Sequence, residues 1–273
     1  MLNERIMGHI ICIASQKGGV GKTTTTVNLS ASLALFEKRT LVVDCDPQGN
    51  ATTGLGVDKK KVQWDLYDVL SGKAPADKAV IPTAIEYLNV LPARFRLHQM
   101  ESLLATESCR EGILSVRLHA LAARYDFILL DTPPSIGLLT LNALTAANWL
   151  IIPLQCQLYA LEGLGQLLAV VRRVREGFNR ELKIAGVLLT MCESKSADPD
   201  PIMSRISDRF QKKIFSTTIP RDSLIRDSAN FSKPLALYDI LARGTEAYMN
   251  LANELIQFFQ NGNNLQKNIE NPN

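Results

Sequence analysis

A glycine-rich segment near the N-terminus carries the residue types that bind phosphate. After the apolar run His9–Ala14 the chain reads Ser-Gln-Lys-Gly-Gly-Val-Gly-Lys-Thr-Thr, and a pattern of helical period follows. A strand, a glycine loop, a Gly-Lys-Thr sequence and a helix together form the context of a phosphate-binding loop. The glycines let successive N–H groups point inward, and the helix N-terminus adds its positive end. The residues that we expect to surround the phosphates are Gly18, Gly19, Val20, Gly21, Lys22, Thr23 and Thr24.

Two side chains of this loop have specific expected tasks. Lys22 is expected to reach the β- and γ-phosphates, and the hydroxyl of Thr23 to ligate Mg²⁺. A glycine turn that merely joins a strand to a helix would leave both residue types without a reason. We therefore expect a nucleotide triphosphate, ATP with Mg²⁺, at this loop.

Carboxylates follow two other apolar runs. Thr40–Asp44 ends in Asp44, with Asp46 two residues later, and Phe127–Asp131 ends in Asp131. Residues i and i+2 point to one side if the strand persists, so Asp44 and Asp46 could face one site. An acid at the end of an apolar strand is the Walker B arrangement, which places Asp131 in the outer coordination sphere of Mg²⁺. Each pattern is weak alone, but together with the phosphate loop they predict a metal–nucleotide site.

Apolar runs of four to six residues alternate with segments of helical period. Such runs are typical of strands that are covered on both faces, and the alternation favours βαβ crossovers. The predicted strands are His9–Ala14, Thr40–Asp44, Leu88–Leu91, Phe127–Asp131, Trp149–Pro153 and Ile184–Leu189. The predicted helices are Thr24–Leu35, Arg110–Arg124, Leu138–Ala147, Leu161–Val174, Pro201–Lys212 and Gly244–Gln260. The prediction is an α/β fold with a doubly wound, mostly parallel sheet flanked by helices.

The domain limits follow from the same pattern. We expect one domain over residues 8–260, a short extension at 1–7 and a disordered polar tail at 261–273, where asparagine is frequent. The first residues do not resemble a signal peptide, and no apolar run approaches the ~20 residues of a membrane span, so a cytoplasmic protein is expected.

Composition excludes several classes of protein. The 273 residues include 30 Lys and Arg against 27 Asp and Glu, and this net charge of +3 does not by itself demand an anionic partner. The five cysteines are scattered without a C-x-x-C pair, which fits neither a zinc site nor a disulfide framework. Their positions are Cys12, Cys45, Cys109, Cys156 and Cys192.

One departure from the usual phosphate loop is informative. The standard pattern has glycine where this chain has Gln16, and a second lysine, Lys17, lies five residues before Lys22. The segment Lys17–Thr24 resembles the deviant Walker A motif of the ParA/MinD/nitrogenase iron protein superfamily. Further runs look like its ParA/Soj branch, and the resemblance covers roughly residues 8–260. These runs are Asp46–Thr52, Pro153–Gly163, Gly186–Met191, Ile219–Arg221 and Lys233-Pro234.

The resemblance implies roles for individual residues. It implies that Lys17 reaches across a dimer to the nucleotide of the other subunit and acts in catalysis with Lys22. It also implies that Asp46 positions or deprotonates the attacking water, while Asp44 supports the magnesium shell with Thr23 and Asp131. Adenine recognition is expected from the loop with Pro220, Arg221 and Asp222.

The resemblance further implies partners. It implies an ATP-dependent homodimer that binds double-stranded DNA without sequence preference at the nucleoid. It also implies slow hydrolysis that a ParB-like centromere-binding protein stimulates, for chromosome or plasmid segregation. The chain departs from the family where DNA contacts are expected, since Leu224 stands where arginine is frequent. The candidate DNA-binding residues are Lys195, Arg221, Arg226, Lys233 and Arg243.

Three alternative functions remain open at this point. A positioning ATPase of the same branch with another cargo fits the same motifs. A MinD-like membrane-associated ATPase is less favoured, because the expected helix Gly244–Gln260 has no lysine or arginine for a basic amphipathic face. A redox or metal-cluster protein needs a cysteine pair, and Cys156 has no neighbouring cysteine in sequence.

Overall fold

The computed structural model describes residues 8–155, 160–193 and 213–270, and these residues form a layered α/β fold. The strands are β1 (His9–Ile13), β2 (Thr40–Asp44), β3 (Ile81–Pro82), β4 (Leu88–Leu91), β5 (Phe127–Asp131), β6 (Trp149–Gln155) and β7 (Lys183–Thr190). The longer helices are α1 (Lys22–Leu35), α6 (Ile113–Ala122), α7 (Leu138–Ala146), α8 (Ala160–Gly177), α9 (Ser223–Asn230) and α11 (Arg243–Glu270). Shorter helices are α2 (Asn50–Gly54), α3 (Leu66–Leu70), α4 (Ala76–Ala79), α5 (Met100–Ala105), α10 (Leu235–Tyr238) and the 3₁₀ turn Phe95–Gln99.

The strands form one sheet in the order β3-β4-β2-β5-β1-β6-β7. All neighbouring pairs are parallel except β3 and β4 at the edge. The carboxyl ends of the parallel strands therefore meet at one edge of the sheet, which is where open α/β sheets bind ligands. The prediction of a doubly wound, mostly parallel sheet is confirmed.

Both faces of the central strand β1 are buried. Ile10 and Cys12 belong to an apolar cluster with residues of α6, α7 and α8, and Ile11 and Ile13 belong to a second cluster with α1 and α11. Each of these four side chains is at most 8% exposed. Burial on both faces explains why the strands read as continuous apolar runs, and it fixes the strand ends that carry the acids.

The strand β6 continues past the predicted end at Pro153 to Gln155. Proline has no N–H to donate, so it is unfavourable in the interior of a sheet. Here β1 pairs with β6 only as far as Ile151, while Pro153 is paired with Leu188 of β7 on the other side. The strand tolerates the proline because only one of its edges is paired at that position.

The last helix, α11, is longer than the sequence pattern predicts. It begins at Arg243 and ends at Glu270, so residues 261–270 are helical rather than the expected disordered tail. Asparagine costs only about 0.7 kcal/mol per helical position, and the first proline after Pro234 is Pro272. No helix among the described residues is long and apolar enough to cross a membrane. The predicted helix Pro201–Lys212 lies outside the described residues.

Candidate functional site

The loop between β1 and α1 has the backbone shape of a phosphate cradle. Gly19 and Gly21 have φ angles of 72° and 90°, in the left-handed region that glycine adopts without strain. Gly21 directly precedes α1, and its carbonyl accepts a hydrogen bond from Thr25 N at 2.8 Å. The helix therefore begins at Lys22, two residues before its predicted start, and its free N–H groups face the loop.

Lys22 is a buried cation. Its residue is 7% exposed, and Nζ donates a hydrogen bond to the carbonyl oxygen of Lys17 at 3.4 Å. Burial lowers the pKa of Lys22 more than Asp131 and Asp46 raise it. Lys22 forms no ion pair with the residues that the structure describes. A buried ammonium in this state is strongly stabilised by an anion that enters the loop.

Asp131 lies next to Thr23, the residue that follows Lys22 in the sequence. Its Oδ2 accepts a hydrogen bond from Thr23 Oγ1 at 2.8 Å, and its Oδ1 accepts one from Thr26 Oγ1 at 3.0 Å. Burial, with a contribution from the neighbouring Asp44, raises the pKa of Asp131 to about 8, although the two threonine hydroxyls oppose the change. The side chain of Asp131 thus positions the hydroxyl of Thr23, which the sequence predicts as a magnesium ligand.

Asp44 is the register partner of Asp131 on the adjacent strand. Its Oδ2 accepts hydrogen bonds from Thr52 N at 2.7 Å and Thr52 Oγ1 at 2.6 Å, and its Oδ1 accepts one from Asp46 N at 3.2 Å. Burial raises the pKa of Asp44 to about 6 against these bonds. Asp44 therefore fixes the start of α2 relative to the sheet, and it lies behind the pocket rather than in its lining.

Asp46 lies in the turn that follows β2, so the strand does not continue to it. Its carbonyl accepts a hydrogen bond from Gly49 N at 2.9 Å, and its Oδ1 accepts one from Gln48 N at 2.9 Å. The residue is 7% exposed. The condition for Asp44 and Asp46 to share one face is not met, because β2 ends at Asp44, and of these two residues only Asp46 lines the pocket.

We call the space above the loop the phosphate pocket. It has a volume of about 330 Å³. Its lining consists of Gly18, Gly19, Gly21, Lys22, Thr23, Thr24, Asp46, Gln48, Asn50, Pro134 and Met191. Gln48 and Asn50 lie in the run Asp46–Thr52, which carries the family resemblance but predicts no role for these two residues. Pro134 lies in the loop that follows Asp131. Met191 ends the run Gly186–Met191, but the sequence predicts no role for it, and it joins the pocket through the end of β7.

Met191 and Gln155 hold the loop against the sheet. Met191 has a φ of 54°, which is uncommon for a residue with a side chain. Gln155 Nε2 donates hydrogen bonds to Gly19 O and to Met191 Sδ, both at 2.9 Å. Thr190 Oγ1 donates to Val20 O at 2.9 Å, so Val20 contributes its buried side chain and its carbonyl to the support of the loop.

A second pocket of about 570 Å³ adjoins the first, and we call it the base pocket. The two pockets share Gly21, Thr24 and Met191. Its remaining lining is Thr190, Ile219, Pro220, Arg221, Asp222, Ser223, Ile225, Arg226, Ala229 and Tyr248. Apolar and aromatic side chains with a few polar groups are suited to a flat heterocycle.

The three residues expected to recognise adenine all line the base pocket. Of these, Asp222 is engaged by the protein itself, because its Oδ1 accepts a hydrogen bond from Leu224 N at 3.0 Å and its Oδ2 accepts one from Gly244 N at 3.1 Å. It caps α9 and ties α9 to α11. Asp222 therefore shapes the wall of the pocket.

The other expected residues are more dispersed. Lys17 is half-buried and is not part of the phosphate pocket lining. Four candidate DNA-binding residues are exposed, namely Arg221, Arg226, Lys233 and Arg243, and the first two also line the base pocket. Lys195 lies outside the described residues.

Histidine, cysteine and carboxylate side chains do not form a metal cage here. The described part of the chain has no group of three such residues that could hold a metal ion. A cation at this site would have Thr23 Oγ1 as a ligand and would complete its sphere with phosphate and water oxygens. Mg²⁺ is usually bound in this way.

The parallel sheet, the glycine loop, the buried lysine and the threonine–aspartate pair define a P-loop nucleoside triphosphatase. A family model described as an AAA domain matches residues 8–184. The crystal structure of cobyrinic acid a,c-diamide synthase from Mycobacterium smegmatis with bound ADP and magnesium has a TM-score of 0.82 at 33% identity. That comparison covers 94% of this chain and 97% of the synthase.

Comparison with related sequences identifies the family within this class of nucleoside triphosphatases. The chain is 46% identical over 251 residues to the chromosome partitioning protein ParA of Myxococcus xanthus, which covers 92% of this chain and 89% of that protein. It is also 46% identical over 249 residues to the sporulation initiation inhibitor protein Soj of Bacillus subtilis, with 91% and 98% covered. The chain belongs to the ParA/Soj family of partitioning ATPases.

Proposed function

We propose that this chain binds ATP with Mg²⁺, dimerises around two nucleotides, binds duplex DNA and drives the segregation of a chromosome or plasmid. The observation that carries the proposal is the buried ammonium of Lys22, next to the Thr23–Asp131 pair and in a loop that opens onto two joined pockets. The presence of ADP and magnesium in the related synthase structure supports ATP and Mg²⁺ as ligands.

The described residues fit these ligands. The phosphates would lie against the backbone of Gly18–Thr24 and the ammonium of Lys22, and Mg²⁺ would bind Thr23 Oγ1 with Asp131 behind it. The adenine would lie in the base pocket against Pro220. Mg²⁺ supplies charge neutralisation for the phosphates when it is bound.

Asp46 is the residue that we assign to the attacking water. It lines the phosphate pocket, and the bond from Gln48 N holds one of its oxygens in place, so the carboxylate is preset to accept a hydrogen bond from water. We expect slow hydrolysis by the protein alone, because no arginine lines the phosphate pocket among the described residues. An arginine supplied to such a site typically adds about 10³–10⁵ in rate. We expect a ParB-like partner to accelerate this step.

Hydrolysis can be separated from binding by one substitution. Asp46→Ala should bind ATP with nearly parent affinity and show no measurable turnover, as followed by phosphate release. Turnover at the parent rate would assign the water to another residue.

Dimerisation is assigned to Lys17. Its side chain does not serve the phosphate pocket of its own chain, and a cation placed against the triphosphate of a second copy would favour the dimer only when ATP is present. In Asp46→Ala with ATP, light scattering should give twice the monomer mass, and the double variant with Lys17→Ala should remain monomeric. Lys78→Ala, an exposed lysine on α4, is the matched control. A dimer that forms equally well without nucleotide would contradict the assignment.

DNA binding is assigned to the exposed basic residues, doubled by dimerisation. Lys233 and Arg243 are the sharpest probes, because they do not line the base pocket and their loss should leave ATP binding intact. Lys233→Glu with Arg243→Glu should weaken binding to random duplexes uniformly, and Lys73→Glu with Lys78→Glu is the control of equal charge. The slope of log affinity against log salt should be about −0.9 per phosphate neutralised. Equal DNA affinity of the apo, ADP and ATP states of Asp46→Ala would refute this part of the proposal.

A further inference from the structure

One wall of the base pocket is a short segment that lies between β7 and α9 in the sequence. Residues 216–221 lead into α9, and Ile219, Pro220 and Arg221 line the pocket. The segment forms backbone hydrogen bonds with β7 and with Cys192, which lies just after β7 in the sequence. Ile219 N donates to Leu189 O at 2.8 Å, Cys192 N donates to Ile219 O at 3.0 Å, and Arg221 N donates to Cys192 O at 3.0 Å.

The opposite edge of this segment is held by one carboxylate from α11. Glu254 Oε1 accepts hydrogen bonds from Ser216 N and Ser216 Oγ, both at 2.8 Å, and Glu254 Oε2 accepts one from Thr217 N at 3.0 Å. Burial raises the pKa of Glu254, but the bonds from Ser216 and Thr217 lower it more, so it lies below its ordinary value. Bonds from backbone N–H groups to a charged carboxylate are among the stronger hydrogen bonds of proteins.

The same helix contacts the base pocket at two other places. Tyr248 lines the pocket, is 1% exposed and shares a hydrogen bond with Thr25 of α1, with 3.4 Å between the oxygens. Gly244 N donates to Asp222 at the far end of the same wall. Residues 244, 248 and 254 lie on one continuous helix, so the helix fixes the wall relative to the phosphate loop.

We propose that Glu254 is a positioning residue for nucleotide binding, which holds Ser216 and Thr217 so that Pro220 and Arg221 close the base pocket. Glu254 does not line either pocket, so it acts on the base through this segment and not on the phosphates. The proposal rests on the proposed placement of adenine in the base pocket.

A comparison of two ligands separates positioning from general stability. Glu254→Ala should bind MgADP about tenfold more weakly, because it loses all three bonds, and Glu254→Gln about threefold, because an amide oxygen can replace part of them. The affinity for inorganic pyrophosphate, measured by displacement of a fluorescent ADP, should stay within about twofold of the parent. Glu246→Ala, an exposed acid on the same helix, should leave both affinities unchanged.

Amide hydrogen exchange supplies the second measurement. In Glu254→Ala, exchange should become faster in the peptide that covers 213–222 and stay unchanged in the peptide that covers the phosphate loop. An equal loss of affinity for MgADP and pyrophosphate, unchanged MgADP affinity, or faster exchange throughout the chain would overturn the proposal. If the parent protein binds MgADP no better than pyrophosphate, the base placement itself is wrong.

Discussion

Two pairs of buried aspartates in this molecule have opposite surroundings. Asp44 and Asp131 end adjacent strands and are each 0% exposed. Within the described part of the chain, no lysine or arginine nitrogen lies within 4 Å of either carboxylate. Burial raises their pKa values to about 6 and about 8.

The second pair is buried to the same degree but is neutralised. Asp65 and Asp68 are 0% and 2% exposed and form a capping box at the start of α3. Arg94 Nε lies 2.5 Å from Asp65 Oδ2, Arg96 Nε lies 2.9 Å from the same oxygen, and Arg96 also pairs with Asp68. Burial raises the pKa of Asp65, but the two arginines lower it more, so it lies below its ordinary value.

The difference distinguishes a ligand site from a structural ion cluster. Buried carboxylates that have their own cations hold two segments together, and their charges are satisfied within the fold. Buried carboxylates without cations destabilise the fold unless a ligand brings the positive charge, and perturbed groups of this kind cluster at functional sites. The first pair lies beside the buried Lys22, and this combination marks the site of a charged ligand together with its metal.

The largest effect should come from Lys22, the buried cation beside Asp44 and Asp131. Lys22→Ala removes the buried ammonium that faces the phosphate pocket, so we expect ATP affinity to fall by about 100-fold or more. Calorimetric titration measures this, with Lys78→Ala as the control. Parent affinity in Lys22→Ala would show that the loop does not bind phosphate through this residue.

Removing an arginine from the second pair, Asp65 and Asp68, should lower the free energy of unfolding and leave ATP affinity unchanged. Arg96→Ala leaves buried carboxylates with one arginine, so we expect a loss of about 3 kcal/mol in the free energy of unfolding. Urea unfolding measures this loss, and ATP affinity should not change. Lys73→Ala is the control, because Lys73 lies over the Tyr67 ring at 5.1 Å much as Arg96 does at 5.0 Å, without the buried acids. Equal losses in both variants would assign the effect to the ring contact.

A substitution in the first pair, Asp44 and Asp131, should change the free energy of unfolding in the opposite direction. Because the pKa of Asp131 is raised to about 8, the stability that this group contributes is present below its unfolded pKa and is lost as pH rises through about 8. Asp131→Asn should therefore stabilise the nucleotide-free protein by about 2 kcal/mol at pH 8 and by less at pH 5. The melting temperature at the two pH values measures this. Asp65→Asn should destabilise instead, and a loss of stability in Asp131→Asn would contradict the comparison.

The phosphate loop and the acid at the end of β5 could be predicted because they are local features. Glycine spacing, a lysine and an apolar run are all readable within ten residues, and the structure brings Thr23 and Asp131 together as the order of the strands requires. The sequence pattern also predicts that Asp44 ends its strand, as it does in β2. The bonds from Thr52 to Asp44 depend on where α2 begins, which the composition of Asn50–Gly54 does not reveal.

Other parts of the site come from distant segments, and no local pattern predicts their roles. Met191 reaches both pockets through an unusual backbone angle at the end of β7, and Glu254 acts from a helix turn more than thirty residues after the loop that it holds. The sequence pattern does not predict the helices α2–α5 for a related reason, since segments of four to six residues are too short to show a helical period. Such contacts are determined by the tertiary fold.

The smallest effect should come from a charge pair that is matched but not buried, which tests whether burial is the deciding variable. Arg39 Nη2 lies 2.6 Å from Asp126 Oδ1, with side chains 51% and 36% exposed. The geometry is bidentate, because Arg39 Nε also donates to Asp126 Oδ2 at 3.1 Å. Water screens both charges, so Arg39→Ala should cost only about 0.5 kcal/mol, even though Arg96→Ala removes the same side chain type. At about 1 M salt the Debye length is about 3 Å, and the difference between Arg39→Ala and the parent should disappear in urea unfolding. A loss as large as that of Arg96→Ala, or one that persists at high salt, would show that pairing geometry rather than burial sets the strength of these ion pairs.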